Sequence, residues 1–435
     1  SSQPRSVEAT RRLVEDLVAL GIEEIAVVVG HRAPTVRAAV GDIGAVRFVE
    51  QTRPDGPVDA ALAGLTAVDA RETLLCCADI VTTRATIKEL VDAFHARRVE
   101  TVLLGAPCPH GLAHWTSVAC DAEGIVSKIQ PRADVQQPRF GGIAAARTDT
   151  LRRYLKRNPG IALNVGVGAM PPPEGDLAST FELMRRDGHE VHCVPAHDFV
   201  VDVDRPWDIV EANRQAAAHA CAHIDGTHIA GGASIDDSAD IPADAKLWLG
   251  PGARIGRNAV LRGSAMLAAG AHVRDGAILG HGVSLGAESR VEEYAKLHGR
   301  SVLGPQSVLS HCAEFAGVTC DMVYVYHYAC LTALIGSHVD IGAATVCGTW
   351  RFDDGLRTQT VKGHREVPAY HGTFTYIGDY TRTGVNAVFL PGVKTGYNTC
   401  IGPGVIVGDD VPERSMILAK QEQIVKDWGP EKYGW

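Results

Sequence analysis

Two groups of residues in this chain of 435 residues have side chains that commonly do chemistry. The first is Asp79, which follows the apolar run Leu74–Ala78, a pattern typical of a buried strand. In open α/β sheets ligands bind at the carboxyl ends of the strands, so we expect Asp79 to lie at a binding site. The second group contains the histidines and cysteines between positions 311 and 347. Its members are His311, Cys312, Cys320, His327, Cys330 and Cys347.

The histidine and cysteine group leaves several interpretations open. An imidazole, with a pKa near 6.5, suits proton removal at neutral pH, which makes His327 a candidate general base. Histidine and cysteine are also zinc ligands, and His327 and Cys330 are three residues apart. The alternative is that these small cysteines only fill the core. We favour this reading because the eleven cysteines are scattered without a Cys-x-x-Cys pair, as is typical of reduced thiols.

The composition restricts the class of protein. Apolar residues make up 46% and charged residues 21%, which suits a folded chain and excludes a largely disordered one. The net charge of -9 argues against a general nucleic-acid binder. No apolar run reaches the roughly 18 residues of a membrane span. We therefore expect a cytoplasmic protein with neither nucleic acid nor membrane as a partner.

The elements that position Asp79 alternate between helix and strand. Short apolar runs separated by amphipathic segments predict a mostly parallel sheet covered on both faces, a Rossmann-like α/β domain. The predicted helices cover residues 7–20, 33–40, 58–68 and 87–98, and the predicted strands cover 25–30, 46–50, 74–79 and 101–105.

The second half follows a different rule, because one apolar residue recurs every six positions. This period fits neither a helix nor a flat strand, but it fits a three-sided coil in which each side points one aliphatic residue inward, the hexapeptide parallel β-helix. An earlier phase holds Ile229, Ile235 and Ile241. The unbroken run is Leu249, Ile255, Leu261, Leu267, Val273, Leu279, Leu285, Val291, Leu297, Leu303, Leu309 and Phe315. The period resumes at Ile335, Ile341 and Cys347, and again at Ile377, Thr383, Phe389, Thr395, Ile401 and Val407.

Two interruptions of this period, over 319–334 and 348–376, are predicted to be loops that leave one face of the coil and carry function. His327 lies in the first interruption. We predict an α/β domain over residues 1–215, a linker over 216–228, a β-helix over 229–410 and a tail over 411–435 with a helix at 421–428.

A chain that joins such an α/β half to a hexapeptide β-helix resembles the bifunctional sugar-1-phosphate nucleotidylyltransferase and amino-sugar-1-phosphate N-acetyltransferase family, in particular its archaeal-type branch. The likeness covers nearly the whole chain. The segments that carry it are 21–25, 49–51, Asp79, 202–209 and Asn213 in the first half, and 350–354, 361–363, 376–386 and 390–394 in the second.

In the α/β half, the resemblance implies that Asp79 and Asp202 hold a Mg²⁺ ion between nucleotide and sugar phosphates, a task that suits hard carboxylate oxygens. It also implies that Gln51 contacts the base, that Gly56 lets the backbone approach it, and that Gly142 lies in the segment that contacts the sugar. The family's glycine-rich phosphate loop has no counterpart before Asp79. We therefore expect a nucleotidyltransferase-like domain that is either degenerate or truncated.

In the β-helix half, the resemblance implies a left-handed parallel β-helix and a homotrimer that binds acyl-CoA, such as acetyl-CoA, between neighbouring subunits. His327 falls where this family has its general base, although the sequence Ala329-Cys330-Leu331-Thr332 follows it where the family has a Gly-Asp pair. Thr349 replaces an asparagine of the family, and the lysines expected after Arg351 are missing. The remaining residues implied to bind substrate are Arg351, Lys362, Arg382 and Asn386.

Three functions follow from these observations. The first is a CoA-dependent acyltransferase that modifies a sugar-like or nucleotide-linked acceptor in the β-helix, with His327 as base. The second is a sugar-1-phosphate nucleotidylyltransferase that makes an NDP-sugar with Mg²⁺. The third is a non-catalytic regulatory or scaffold subunit, in which Asp79 and Asp202 are inherited without present activity.

Overall fold

The computed structural model describes residues 6–51, 56–108, 115–130, 137–158, 176–355, 357–361, 363–429 and 431. These residues form two compact units. The first contains the described residues up to Ala216 together with Pro368–His371, and the second contains Ala217–Val367 and the described residues from Gly372 onward. No helix in these ranges is long and apolar enough to cross a bilayer.

The first unit alternates helices and strands, as the sequence predicts. Its helices are α1 Ser6–Ala19, α2 Ala33–Val40, α3 Pro57–Gly64, α4 Arg84–Arg97, α5 Thr148–Arg157, α6 Leu177–Arg186 and α7 Pro206–Ala222. Its strands are β1 Ile25–Val29, β2 Val46–Glu50, β3 Glu72–Cys76, β4 Ile80–Val81, β5 Thr101–Ala106, β6 Ser117–Cys120, β7 Val126–Gln130, β8 Arg139–Arg147, β9 Val191–Pro195 and β10 Val201–Asp202. The helix α7 continues to Ala222, beyond the predicted start of the linker at 216.

The expectation of a mostly parallel sheet is wrong for the described strands. The long strand β8 is antiparallel to β3, β5 and β6, and only the β1–β2 and β5–β9 pairs are parallel. The apolar runs could not show strand direction, because a strand that is buried on both faces has the same apolar pattern in a parallel and in an antiparallel sheet. Within the described residues β1 pairs with β2 alone and β4 with β10 alone, whereas β3 joins β8 in a six-stranded sheet with β5, β6, β7 and β9. The β1–β2 pair and the six-stranded sheet both contribute to one of the unit's two apolar clusters.

The second unit is a parallel β-helix, which confirms the architecture that the period of six predicts. Its strands are β11 His228–Ile229, β12 Ser234–Ile235, β13 Leu247–Leu249, β14 Arg254–Ile255, β15 Val260–Leu261, β16 Ala265–Leu267, β17 His272–Val273, β18 Ile278–Leu279, β19 Val283–Leu285, β20 Arg290–Val291, β21 Lys296–Leu297, β22 Val302–Leu303, β23 Val308–Leu309, β24 Glu314–Thr319, β25 Tyr324–Val325, β26 Cys330–Ile335, β27 Asp340–Ile341, β28 Val346–Cys347, β29 Gln359–Val361, β30 His364–Glu366, β31 Thr375–Ile377, β32 Arg382–Thr383, β33 Val388–Phe389, β34 Cys400–Ile401, β35 Ile406–Val407 and β36 Met416–Ile417.

The predicted inward ladder is the core of this unit. Every residue of the unbroken run from Leu249 to Phe315 is at most 2% exposed, and the later members of the series are also buried. The earlier phase is less buried, with Ile229 at 51% exposed and Ile235 and Ile241 partly buried, because the first coil has no coil before it to cover its residues. Burial of one aliphatic side chain per coil side stabilises the stack by roughly 1.5–3 kcal/mol each.

The first interruption is not an inserted loop, and that expectation is wrong. Val291 pairs with Leu309, eighteen residues on, but Leu309 pairs with Val325 and Val325 with Ile341, only sixteen residues on. The strands β24 and β26 are each six residues long, and each continues from one side of the coil into the next without a separate corner. Two coils are therefore shortened by two residues each, which breaks the period without adding a loop.

The second interruption does leave the coil. It extends between β28 and β31 and contains the antiparallel β29–β30 hairpin. The buried Gln359 anchors the hairpin, because its amide nitrogen donates to the carbonyl oxygens of Gly372 (3.1 Å) and Gly392 (2.9 Å) and its oxygen accepts from Lys394 (2.7 Å). The predicted helix at 421–428 is wrong, because these residues have no regular structure.

Candidate functional site

The pairing of β4 with β10 brings the two predicted metal ligands of the first unit together. In this antiparallel pair Asp202 lies opposite Ile80, the residue after Asp79. The backbone amide of Val203 also donates to the carbonyl oxygen of Asp79 at 3.0 Å. Residues that are 123 positions apart are thus held next to each other by backbone hydrogen bonds.

A third carboxylate, which the sequence analysis did not select, completes this group. Asp79, Asp202 and Asp204 each offer an oxygen, and these atoms lie within 4.8 Å of one another. We call these three residues the carboxylate cluster. Side chains two residues apart on an extended strand share a face, so the spacing of Asp202 and Asp204 was the signal for the third member.

The negative charges of the carboxylate cluster repel one another. Burial, together with the negative charges of Asp79 and Asp204, raises the pKa of Asp202 to about 7. Burial also raises the pKa of Asp79. A divalent cation relieves this repulsion, and three carboxylate oxygens without nitrogen or sulfur suit a hard ion such as Mg²⁺. The residues present therefore fit the predicted magnesium ion.

Arg139 is a buried cation next to this cluster, and no local sequence pattern pointed to it; the charge of Arg205 also acts on Asp202. It is 2% exposed, its Nη2 donates to the carbonyl oxygen of Val200 at 2.9 Å, and its guanidinium lies 3.7 Å from the ring centroid of Trp115. Burial lowers the pKa of Arg139 to about 10, and the charge of Asp202 acts against this shift. Arg139 thus supplies a buried positive charge beside the carboxylates.

Gly142, which the resemblance assigns to the sugar segment, positions the cluster by its lack of a side chain. It has a φ of 74°, and a Cβ built on it would lie 2.6 Å from Cγ1 of Ile80. Its carbonyl oxygen also accepts a hydrogen bond from the amide of Cys77 at 2.8 Å. The turn that presents Asp79 can therefore pack on β8 only where β8 carries a glycine.

Gln51 and Gly56 come together at the end of β2. The Nε2 of Gln51 donates to the carbonyl oxygen of Gly56 at 3.3 Å. Gly56 has a φ of 97° and immediately precedes Pro57, the first residue of α3. Glycine tolerates this conformation and proline suits the first turn of a helix. No contact among the described residues joins this pair to the carboxylate cluster.

In the second unit His327 lies at the corner of the coil between β25 and β26. Its ring stacks on that of His311, with centroids 5.1 Å apart and planes at 22°. The ring of Tyr328 stands edge-on to both imidazoles, at 87° to His327 and 75° to His311. The imidazole is half-buried and accessible, so it could exchange a proton with a bound acceptor.

Asn386 shares this corner of the coil with His327, two coils further along. The amide of Ala344 donates to the carbonyl oxygen of His327 at 3.0 Å, and that of Asn386 donates to Ala343 at 2.9 Å. Arg382 lies on the preceding side of the coil, where it is exposed and 3.5 Å from a carboxylate oxygen of Asp340. His327 and Asn386 therefore form one candidate site, with Arg382 on the adjoining face.

Within the described residues, no hydrogen bond, ion pair or ring contact joins Thr349 or Arg351, two predicted residues of the second interruption, to His327. Arg351 makes a paired contact with Asp353, at 2.8 Å and 2.7 Å, and this hydrogen bonding holds the pKa of Asp353 well below its usual range. Thr349 is half-buried at the start of the interruption. Lys362 lies outside the described residues. Asp353 thus accepts from the Nε and Nη2 of Arg351 and neutralises part of the charge that an anion would need.

The zinc interpretation gains no support in the described ranges. There the only histidine, cysteine, aspartate and glutamate residues grouped closely enough to hold a metal are the carboxylate cluster. Cys320 and Cys347 are buried, and burial raises the pKa of Cys347 to about 11. A thiol of this kind fills the core rather than binding a cation. Cys312 and Cys330 are exposed, so the prediction that the cysteines of this group only fill the core is wrong for these two.

Comparisons with known proteins agree with this two-part architecture. A family model described as MobA-like NTP transferase domain matches residues 6–123. The chain is 26% identical over 434 residues to the bifunctional protein GlmU of Burkholderia vietnamiensis, a match that covers 92% of this chain and 88% of that protein. The GlmU protein of Methanococcus vannielii is 26% identical over 260 residues, which cover 59% of this chain and 56% of that protein, little more than half its length.

Among solved structures, the inositol-1-phosphate CTP transferase from T. maritima aligns with 46% of this chain and 78% of its own, at 16% identity and a TM-score of 0.38. At this level the likeness supports no inference about the chain.

Proposed function

This chain belongs to the sugar-1-phosphate nucleotidyltransferase/acetyltransferase family, and on that basis we propose that its β-helix is a CoA-dependent acyltransferase. The acceptor is an amine or hydroxyl of a sugar-like or nucleotide-linked molecule, and acetyl-CoA is the simplest donor. The observation that carries the proposal is the accessible His327 at a corner of the coil, with Asn386 two coils away at the same corner.

In the proposed reaction His327 accepts the proton of the acceptor as its nitrogen or oxygen attacks the thioester carbonyl. The new carbon–nitrogen or carbon–oxygen bond forms and the carbon–sulfur bond breaks. The coenzyme A thiolate leaves and takes up a proton, so that neutral imidazole is restored. In this proposal Asn386 and Arg382 bind the polar parts of the substrates. The other wall of the site comes from a neighbouring subunit in the proposed cytoplasmic homotrimer.

The test is the release of free coenzyme A from a panel of acyl-CoAs with amino sugars, sugar phosphates and nucleotide sugars as acceptors. We expect His327→Gln to lower kcat by about 100-fold or more while the oligomer stays intact by light scattering. His338→Gln is the matched control, because His338 also lies at a corner of the coil but stacks on Tyr380. Full activity of the His327→Gln enzyme would refute the assignment of the base.

A second activity, nucleotidyl transfer in the first unit, is favoured by the carboxylate cluster. Asp79, Asp202 and Asp204 would hold Mg²⁺, which supplies positive charge that neutralises the phosphates of the nucleotide and the sugar. Arg139 would balance the remaining negative charge near Asp202.

The second activity is tested by NTP-dependent release of pyrophosphate with a set of sugar 1-phosphates, in parallel with calorimetric titration of Mg²⁺. Binding of Mg²⁺ without turnover would indicate inherited carboxylates that no longer catalyse. The absence of acyl transfer, of nucleotidyl transfer and of Mg²⁺ binding would leave the third alternative, a regulatory or scaffold subunit.

A further inference from the structure

Four residues of the second interruption, Pro368–His371, belong to the first unit. The residues on both sides of them, Val367 and Gly372, belong to the second unit. Pro368 is buried and the three residues that follow it are half-buried, so the segment is packed against the first unit rather than exposed to solvent. We call Pro368–His371 the strap. Neither of the activities proposed above uses these four residues.

His371 attaches the strap to α7 through a hydrogen bond that is largely shielded from solvent. Its Nε2 donates to Oε2 of Glu211 at 2.8 Å, and the other carboxylate oxygen of Glu211 accepts from Nε2 of Gln215 at 2.7 Å. The side chains of His371 and Glu211 are only 18% and 14% exposed. Burial alone would raise the pKa of Glu211, but the hydrogen bonds from His371 and Gln215 hold it below its usual value. Glu211 is therefore an ionised, largely buried carboxylate that depends on His371 for one of its two donors.

The residue that follows the strap is also anchored. The carbonyl oxygen of Gly372 accepts a hydrogen bond from the buried amide of Gln359 at 3.1 Å, and the side-chain oxygen of Gln359 accepts from Lys394 at 2.7 Å. The chain is thus held by hydrogen bonds at two consecutive residues, His371 and Gly372. This arrangement limits how far the imidazole of His371 can move from Glu211.

The helix α7, which receives His371, begins beside the carboxylate cluster. Its first residue follows Asp204 by two positions. Asp208, in the first turn of α7, is buried, and its Oδ2 accepts a hydrogen bond from the amide of Arg205 at 2.9 Å. Glu211 lies one turn further along the same face of the helix. The loop that carries two of the metal ligands is therefore fixed to the turns of α7 where the strap is attached.

Tyr370, the residue before His371, lies in the same charged surroundings. Burial raises the pKa of Tyr370 to about 12, and the charges of Glu211, Arg139 and Asp208 act on it. The charge of Tyr370 acts in turn on the pKa of Arg139. The strap therefore lies near the buried arginine beside the carboxylate cluster as well as on α7.

We propose that the strap completes the metal site of the first unit and that His371 is a positioning residue for the carboxylate cluster. Groups that hydrogen-bond behind metal ligands commonly change metal affinity by about 10- to 100-fold, because they fix the positions of the ligand atoms. Without His371, the carboxylate of Glu211 would have to move toward solvent or take up a proton, and α7 would move with it. The inference rests on the proposed Mg²⁺ site and adds that a segment remote in sequence fixes the geometry of this site.

Two substitutions of His371 test the inference by calorimetric titration of the full chain with Mg²⁺. The amide nitrogen of His371→Gln can take the position of Nε2, whereas that of His371→Asn reaches only the position of Nδ1 and cannot bind Glu211. We expect the Kd for Mg²⁺ to rise about 10-fold in His371→Asn and to stay within about 3-fold of the unchanged value in His371→Gln. His364→Asn changes an exposed histidine of β30 in the same interruption and is the matched control, which should leave the Kd unchanged.

A double-mutant cycle tests whether His371 acts through Glu211. In a Glu211→Ala background, His371→Asn should have little further effect on the Kd for Mg²⁺. An unchanged Kd in His371→Asn, equal losses in His371→Asn and His371→Gln, or the same loss with and without Glu211 would overturn the inference and leave the Mg²⁺ site standing. A lower melting temperature with an unchanged Kd would also overturn it, because His371 would then only stabilise the fold. No binding of Mg²⁺ to the unchanged protein would instead remove the proposed metal site itself.

Discussion

Replacement of Asp202 by asparagine is expected to stabilise the metal-free first unit above neutral pH. Burial and the charges of Asp79 and Asp204 raise the pKa of Asp202 from 3.8 to about 7 in the folded protein. Between these two values the folded protein keeps a proton that the unfolded chain releases. The free energy of unfolding therefore falls as the pH rises through this window, and asparagine, which cannot ionise, avoids the loss.

The size of the effect follows from the shift in pKa. Each unit of difference between folded and unfolded chains corresponds to about 1.4 kcal/mol, so a shift of roughly three units sets an upper value of about 4 kcal/mol. Solvent reaches part of the site, and we expect a gain on the order of 2–4 kcal/mol at pH 8. The difference between the two proteins should be near zero at about pH 4 and level off above about pH 7.

Differential scanning calorimetry at a series of pH values, in the presence of EDTA, measures this difference. Added Mg²⁺ should raise the corresponding transition of the unchanged protein, because the ion binds only the folded cluster, and should affect Asp202→Asn far less. Asp42→Asn, which changes an exposed aspartate of the same unit, is the control. Identical pH dependence in the unchanged protein and Asp202→Asn would show that the carboxylates do not repel one another as described.

Two further predictions concern the second unit. Phe389→Ala removes a fully buried side chain from the inward ladder and should lower the free energy of unfolding by about 3–5 kcal/mol in urea denaturation, whereas Leu390→Ala, at a position 41% exposed, should cost far less. Gln359→Ala leaves the carbonyl oxygens of Gly372 and Gly392 without their donor and should speed proteolytic cleavage between β28 and β31, whereas Thr360→Ala, on the exposed side of the same strand, should not.

The β-helix could be predicted because its sequence pattern is a fixed spacing between apolar residues. One apolar residue in six, sustained from Leu249 to Phe315, has no other structural explanation, and every one of these side chains lies inside the coil. The nature of the first interruption could not be predicted in the same way. Loss of two residues at a corner and insertion of a loop both interrupt the six-residue spacing of the apolar residues. Only the pairing of Leu309 with Val325 in the structure distinguishes the two.

The carboxylate cluster was predicted in part. Asp79 could be found because it follows a buried strand, and Asp202 because of the resemblance, but their proximity depends on the pairing of β4 with β10, across 123 residues. Arg139 could not be found, because a buried arginine has no periodic signature. Its place is set by the ring of Trp115 and the carbonyl oxygen of Val200, both remote in sequence.

The separation of inward from outward positions explains how the corner at His327 can differ from the family pattern without loss of the fold. Ala329 is buried and continues the core, whereas Cys330, the next residue, is exposed on the following side of the coil. There burial and the nearby charge of Glu314 raise the pKa of the Cys330 thiol, which keeps it neutral. An aspartate at this position would add a negative charge on the outside of the coil, three residues after His327, and would leave the ladder unchanged. We therefore expect Cys330→Asp to alter the choice of acceptor, measured as a ratio of kcat/KM values, while the melting temperature stays within a few degrees; a large drop in melting temperature would show that position 330 belongs to the core after all.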